Sequence, residues 1–186
     1  MSFIDDIKRY NPCNEQEAKD KELIMEAVGS YDNILTRENV VMHITSSGYI
    51  VNKNREKVLM IYHKIYDSWA WTGGHADGDS DLLHVAIKEA KEETGLENVK
   101  PICEDIFSLD VLTVDGHIKK GKYVSSHLHL NVTYLLEGDE DEELKVNEDE
   151  TKGVKWLPIN ELGEYCSEPY MVRMVYNKLN EKIAIK

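Results

Sequence analysis

The sequence predicts a single domain of the mixed α/β class (α+β). The chain has 186 residues, of which 41% are hydrophobic, so it can bury a core without disulfides or a structural metal. Helical apolar spacing marks both ends of the chain, whereas segments rich in β-branched and aromatic residues begin at Val40. Because no internal repeat or low-complexity linker separates these regions, we expect helices and strands to share one unit.

Residues 1–36 are predicted to form a helical extension that packs on a main domain of residues 37–186, which includes a C-terminal helix. Asn14 and Glu17 have the spacing of a capping box at a helix start, and Gly29 suits the helix end. The apolar stripe of this helix consists of Ile24, Ala27 and Val28. The alternative to packing is a helix that binds a partner or forms a homodimer.

The rest of the chain alternates between strand and helix patterns. Strands are predicted at Val40–Val51, Val58–His63, Val111–Val114, His127–Leu136 and Gly153–Trp156, with Ile65–Thr72 as an extension or a third strand. Helices are predicted at Asp81–Glu93 and Pro169–Lys182. Gly73-Gly74 is expected to interrupt the strand before it, and the acidic stretch 137–150 is expected to be a loop.

The charge balance limits the classes of ligand. The chain has 22 lysines and arginines against 35 aspartates and glutamates, a net charge of −13 at pH 7. Because such a chain has no net positive field to displace counterions, we expect no nucleic-acid polymer as partner. A small polyanion can still bind if a divalent cation accompanies it.

The cysteines and the N-terminal residues indicate the cellular compartment in which the protein is expected. Cys13, Cys103 and Cys166 form no CxxC pair, which argues against a disulfide framework or a zinc ribbon. The N-terminus lacks the pattern of a signal peptide, and no apolar run approaches the roughly 20 residues of a membrane span. We therefore expect a cytoplasmic protein that has no membrane partner.

The predicted helix Asp81–Glu93 carries the most informative pattern. At about 100° per residue, Glu89, Glu92 and Glu93 share one helical face. Such carboxylates repel one another unless a cation lies among them, and a helical wheel directs Lys88 away from their centre. Mg²⁺ prefers oxygen ligands and suits a site of carboxylates and phosphate. A solvated acidic face is the alternative.

This region resembles the signature of the Nudix hydrolase family, G-x5-E-x7-R-E-U-x-E-E-x-G-U, where U is a bulky aliphatic residue. The matching residues are Gly74, Glu89, Glu92, Glu93, Gly95 and Leu96. Ser80 stands where the signature has Glu, Lys88 where it has Arg, and Ala90 where it has U. Together with Trp69–Gly74 before the box and Val154–Leu162 after it, the resemblance covers about residues 40–162.

The resemblance implies an α/β/α sandwich around a mixed β-sheet, and hydrolysis of the pyrophosphate bond of a nucleoside diphosphate linked to another moiety. It implies Glu89, Glu92 and Glu93 as catalytic residues and ligands of Mg²⁺, for which Mn²⁺ can substitute. The Gly73 carbonyl is a further expected ligand, and Glu89 is alternatively the base that activates water. An additional carboxylate is expected among Glu148, Asp149 and Glu150 of the acidic loop.

Ser80 keeps other functions open, because a hydroxyl cannot replace an ionised carboxylate. Asp79 and Asp81 flank it and are expected to substitute after a small shift of the loop. Without a substitute, the chain would be a ligand-sensing Nudix domain that binds a nucleotide derivative and does not cleave it. An isomerase of isoprenoid diphosphates is a third alternative, but that chemistry uses a site cysteine, and no cysteine lies near the double glycine.

Two groups of residues are expected to contact the substrate. Strand alternation places His127 and His129 on one face with Asn131 and Thr133, and this face would line a cleft, meet solvent or, through its HxH spacing, bind zinc. His75, next to the double glycine, is the second histidine candidate. A basic cluster near His117 is expected to contact substrate phosphates from a loop, and it consists of Lys119, Lys120 and Lys122.

Overall fold

Helices precede, separate and follow two runs of strands in the computed structural model, which describes residues 2–119, 121–147 and 151–185. The helices are α1 (Phe3–Arg9), α2 (Glu15–Ser30), α3 (Leu82–Thr94), α4 (Leu162–Tyr165) and α5 (Asn177–Ile185). The strands are β1 (Met42–Val51), β2 (Lys57–His63), β3 (Ser68–Ala70), β4 (Thr72–His75), β5 (Lys100–Pro101), β6 (Ser108–Val114), β7 (His117–Lys119), β8 (Lys122–Val124), β9 (His127–Glu137) and β10 (Thr151–Pro158). The predicted mixed α/β composition is confirmed.

The chain divides into two compact units. The first consists of Met1–Ser47, Gly73–Ala86 and Glu104–Tyr134, and the second consists of Gly48–Thr72, Ile87–Cys103 and Leu135–Lys186. Along the chain, β1, β9 and α3 each begin in the first unit and end in the second.

In the first unit, α2 lies against β6. The Asn14 half of the predicted capping box is confirmed, since the Asn14 side chain accepts a hydrogen bond from the Glu17 backbone N–H at 2.9 Å. The Glu17 carboxylate accepts the Cys13 backbone N–H, also at 2.9 Å. The Val111 backbone N–H donates to Asp20 on α2 at 3.1 Å. Strand β6 pairs antiparallel with β9, in a register that aligns Ser108 with Thr133. These contacts attach the N-terminal helices to the paired strands, while the predicted boundary at residue 36 stays a prediction.

In the second unit, β2 pairs antiparallel with the end of β1, with β3 and with β10. Its apolar run Val58–Ile61 is almost completely buried, which explains why the sequence here reads as continuous apolar residues. The end of β9 pairs with β5, where Lys100 lies opposite Glu137. A π-helical segment, Met171–Tyr176, precedes α5, so the predicted closing helix is not uniformly α-helical.

Two local predictions were wrong. Gly73 and Gly74 do not interrupt a strand but lie within β4, which pairs with β1. A Cβ on Gly73 would lie 2.4 Å from Ser47 Oγ and 2.8 Å from the Ser46 carbonyl, so this pairing needs glycine at that position. The predicted lysine-bearing loop is instead a hairpin of β7 and β8. No helix among the described residues is long and apolar enough to span a membrane.

Candidate metal and substrate sites

The three glutamates of α3 differ in exposure. Glu93 is buried at 4% exposure, whereas the side chains of Glu89 and Glu92 are 19% and 54% exposed. Lys88 Nζ lies 3.5 Å from Glu89 Oε1 and 3.8 Å from Glu92 Oε1. The expectation that Lys88 points away from the carboxylates was therefore wrong, and its charge offsets part of their repulsion.

The chemistry of this donor set suits a hard divalent cation, because carboxylate oxygens are the ligands that Mg²⁺ prefers. Among the described residues, Glu89, Glu92 and Glu93 do not bring one oxygen each within 4.8 Å of one another. Two oxygens bound to the same Mg²⁺ lie at most about 4.2 Å apart, given Mg–O distances of about 2.1 Å. Direct binding by all three carboxylates would therefore require side-chain rotation.

The start of α3 engages both aspartates that flank Ser80. Asp81 Oδ1 accepts the His84 backbone N–H at 3.0 Å, as a helix N-cap does. Asp79 accepts the Asp81 backbone N–H at 2.9 Å through one oxygen and lies 2.9 Å from His84 Nδ1 through the other. Ser80 itself is exposed. Either aspartate would have to leave these contacts in order to replace the glutamate missing at position 80.

The loop between β4 and α3 is held by a bidentate ion pair. Arg37 Nε and Nη2 donate to the two carboxylate oxygens of Asp77 at 2.8 and 2.7 Å. Asp77 and Gly78 have positive φ values of 47° and 93°, so the chain turns sharply here. The ion pair therefore fixes the loop that follows the glycine strand.

Four histidines of the first unit form a cluster. The ring centroid of His43 lies 5.0 Å from those of His75 and His127 and 5.1 Å from that of His129. His43, His75 and His129 each place one ring nitrogen within 4.8 Å of the other two. Three of these residues were singled out from the sequence, but His43 was missed. The polar alternation His43-x-Thr45-x-Ser47 in β1 was the available signal.

Burial lowers the pKa of three histidines of this cluster. Burial, and then the neighbouring imidazoles, lower the pKa of His129 to about 2. Burial, the His43 imidazole and the cations Arg37 and Lys119 lower the pKa of His75 to about 3. Burial likewise lowers the pKa of His43. Near neutral pH these rings therefore offer nitrogen lone pairs and N–H donors but little positive charge for a phosphate.

The rest of the polar face of β9 is buried in hydrogen bonds. Asn131 Oδ1 accepts from Thr45 Oγ1 at 2.9 Å and from Ser47 Oγ at 2.8 Å. Asn131 Nδ2 donates to Thr133 Oγ1 at 3.0 Å. Asn131 and Thr133 are almost completely buried, so they neither meet solvent nor line an open cleft.

Two of the lysines predicted to bind phosphate, Lys119 and Lys122, lie on β7 and β8. Lys119 pairs directly with Lys122 across the two strands, and Lys122 is exposed. The Lys119 charge acts on His75, which places one lysine of the hairpin near the histidine cluster. Lys120 lies outside the described residues, and so do the candidate metal ligands Glu148, Asp149 and Glu150.

Solved structures with a similar fold include a C. elegans Ap4A hydrolase binary complex, with 19% sequence identity and a TM-score of 0.55 over 76% of this chain and 95% of that chain. A NUDIX-family hydrolase from Clostridium perfringens matches with 24% identity and a TM-score of 0.53, over 77% of this chain and 97% of its own. A MutT protein from Methanosarcina mazei Go1 matches with 17% identity and a TM-score of 0.53, over 77% and 96%. The expected Nudix-like α/β fold around a mixed sheet is thereby confirmed.

Comparison of the sequence with protein families identifies the family of the chain, whereas the similar structures identify only its fold. The model of the NUDIX domain matches residues 42–177, so the chain belongs to the Nudix family. No curated protein matches the sequence. The resemblance recognised in the signature around α3 is therefore confirmed at the level of the family.

Proposed function

We propose that this Nudix-family chain is a Mg²⁺-dependent hydrolase, which cleaves the pyrophosphate bond of a nucleoside diphosphate linked to another moiety. The observation that carries this proposal is the set of three glutamates spaced i, i+3 and i+4 on α3, inside a matched Nudix domain. Two similar structures carry the names Ap4A hydrolase and MutT, which supports a nucleotide-type substrate.

The glutamates have different roles in this proposal. When bound, Mg²⁺ neutralises phosphate oxygens and orients the attacking water. Glu93, buried on α3, provides a carboxylate in a defined position, and the more exposed Glu92 contributes a second. Glu89, one helical turn before Glu93, is a metal ligand or takes a proton from the water through its carboxylate. The Gly73 carbonyl stays a predicted ligand from the sequence.

The substrate contacts are proposed on the first unit. Lys119 and Lys122 supply positive charge on the hairpin, and His75 and His129 act as neutral hydrogen-bonding groups because their pKa values are low. His127, next to His129, joins them in this proposal. The sequence-based assignment of Lys120 to the same role stays a prediction.

Chromatographic separation of the nucleotide products formed from a panel of nucleoside diphosphate derivatives, which includes Ap4A, tests the proposal with and without Mg²⁺. We expect turnover only with the metal, and a loss of roughly 100-fold or more in kcat/KM for Glu92→Gln and for Glu93→Gln. Glu97→Gln, at an exposed position just beyond the helix, is the matched control and should behave as the wild type. Metal-independent turnover, or full activity of both variants, would refute the assignment.

A non-hydrolytic Nudix ligand-sensing domain is the second candidate function. It is favoured by the exposed Ser80 in place of the signature glutamate, with Asp79 and Asp81 both engaged at the helix start. Calorimetry on the same panel separates the two functions. Tight binding of a nucleotide derivative without turnover at any Mg²⁺ concentration would establish the sensor and reject the hydrolase.

We further propose a cytoplasmic protein in which residues 1–36 stabilise the domain, and a homodimer remains the alternative role of this extension. The contacts of α2 with β6 support the stabilising role. Light scattering of the full chain measures the oligomeric state, and a monomer would leave domain stabilisation as the role of the extension.

A further inference from the structure

We propose that His43, His75 and His129 form a binding site for a transition-metal ion of the Zn²⁺ class, with a ligand set distinct from the glutamates of α3. All three histidines belong to the first compact unit and come from β1, β4 and β9. Each places one ring nitrogen within 4.8 Å of the other two. The donor chemistry differs from that of the glutamates, and an ion bound to His75 and His129 would contact the substrate in place of the two rings.

His43 supplies the observation that points to a ligand. It is only 4% exposed, and its Nδ1 lies 3.0 Å from the Asn39 backbone carbonyl, which can only accept a hydrogen bond. Nδ1 therefore carries the proton, and the lone pair of the neutral ring lies on Nε2. That Nε2 is buried and has no hydrogen-bond partner within the described residues. A buried acceptor without a partner is unfavourable, and a metal ion would satisfy it.

His129 is held in a comparable way. The Nδ1 of His127 lies 2.8 Å from the Ser125 carbonyl, so in neutral His127 the lone pair lies on Nε2. This Nε2 is 3.2 Å from His129 Nε2, which must then donate a proton in the contact. The lone pair of His129 is thereby left on Nδ1. Histidines that bind metals commonly donate their second ring N–H to a fixed acceptor in this manner, and the carbonyl beside His43 follows the same rule.

The donor set selects the class of ion. Neutral imidazole nitrogens suit Zn²⁺ and its transition-metal neighbours, whereas Mg²⁺ prefers oxygen. Two nitrogens bound to one tetrahedral Zn²⁺ lie roughly 3.4 Å apart, since each Zn–N bond is about 2.0–2.1 Å. The three ring nitrogens lie within 4.8 Å of one another, so modest rotations of the side chains would bring them to this distance. Three protein ligands leave a fourth position for water or an anion, as in catalytic zinc sites.

The surrounding charges favour an anion at that fourth position. Arg37 and Lys119 are the cations that act on His75, and Asp77 is the anion. A divalent ion alone would add to this positive field, so an oxyanion such as inorganic phosphate should bind the metal-loaded protein in preference to the metal-free protein. The site would thus place a second metal next to the lysine hairpin.

Calorimetric titration of Zn²⁺ into tag-free full-length protein tests the site, in buffer with excess Mg²⁺ to occupy carboxylates. We expect one Zn²⁺ per chain, and Co²⁺ should give the visible absorption of a nitrogen-bound ion. His75→Asn and His129→Asn should each weaken Zn²⁺ binding at least roughly 100-fold, and His127→Ala by roughly 10-fold or more. Because His43 is buried and its replacement can impair folding, the two partly exposed ligands carry the test, with circular dichroism as the check on folding.

His84→Asn is the matched control, since His84 is an exposed histidine outside the cluster that pairs with Asp79. It should leave the Zn²⁺ affinity and the Co²⁺ spectrum unchanged. Binding that persists unchanged in His75→Asn and His129→Asn would overturn the proposal, and so would the absence of stoichiometric Zn²⁺ binding by the wild type. Glu92→Gln and Glu93→Gln should lose nucleotide hydrolysis but keep Zn²⁺ binding, because the two sites use different ligands.

Discussion

Replacing Glu17 is predicted to destabilise the N-terminal helices. Glu17 lies in the first turn of α2, yet it is completely buried. Its carboxylate accepts the Cys13 backbone N–H and the Ser108 hydroxyl, both at 2.9 Å, and also the Tyr10 hydroxyl. Since Ser108 lies on β6, this one side chain connects the N-terminal helices with the strands of the first unit. Glu17→Ala would remove all three hydrogen bonds.

The size of the destabilisation depends on whether each of the three donors finds another acceptor once the Glu17 carboxylate is removed. A hydrogen bond to a charged group contributes about 1.5–3 kcal/mol, so three would give about 4.5–9 kcal/mol. Tyr10 retains the Phe107 carbonyl at 3.2 Å as an acceptor, and Ser108 retains Asp110 at 2.7 Å. Removing Glu17 also ends the cost of burying its carboxylate. We therefore expect a loss of about 2–4 kcal/mol in the free energy of unfolding.

Urea unfolding followed by circular dichroism measures this loss. Glu22→Ala on the same helix is the matched control: its ion pair with Lys19 is exposed, and its loss should cost about 0–0.5 kcal/mol. Glu17→Gln should fall between the two, because an amide oxygen keeps some of the acceptor capacity. If Glu17→Ala is no more destabilising than Glu22→Ala, the buried hydrogen bonds do not stabilise the fold as argued.

Two further changes test packing and burial. Gly73→Ala should lower the free energy of unfolding by about 1–3 kcal/mol, because the new Cβ would lie 2.4 Å from Ser47 Oγ. Gly29 is exposed within α2, and a Cβ there would meet nothing within 4 Å. Gly29→Ala should therefore raise the free energy of unfolding by about 0.5–1 kcal/mol. Equal effects of the two changes in urea unfolding would contradict the steric argument. Burial raises the pKa of Glu168, so the folded state favours the protonated acid, and stability should decrease as the pH rises through that pKa. Thermal unfolding from about pH 4 to pH 7 should show a smaller decrease for Glu168→Gln, and an unchanged slope would count against burial as the cause.

The start of α2 and both ends of α3 were predictable from the sequence, because they depend on residues close together in the chain. The Asn14 cap and the start of α2 were read from a spacing of three residues, and α3 was placed within one residue at each end. Both succeed because helical hydrogen bonds join residues four positions apart, so the sequence around each helix contains its determinants. Pairing of strands has no such local basis. The glycines of β4 were read as a break because the segment of β1 beside them lies more than twenty residues earlier.

The burial of polar residues was the other feature that sequence patterns missed. Glu17 was read as the second residue of a capping box, but its side chain is buried and accepts the Ser108 hydroxyl from β6. His43 was left among the surface or packing histidines because its neighbours in the cluster come from positions 75 and 129.

The sequence by itself determined the family and the placement of the three glutamates on one helix, because the signature is contiguous and helical geometry converts its spacing into a face. The tertiary structure alone decided which polar groups leave water. The ring nitrogens of His43, His75 and His129 approach one another only after β1, β4 and β9 assemble, and no local spacing encodes that approach. Burial then lowers the pKa of each of these rings, since desolvation disfavours the imidazolium form.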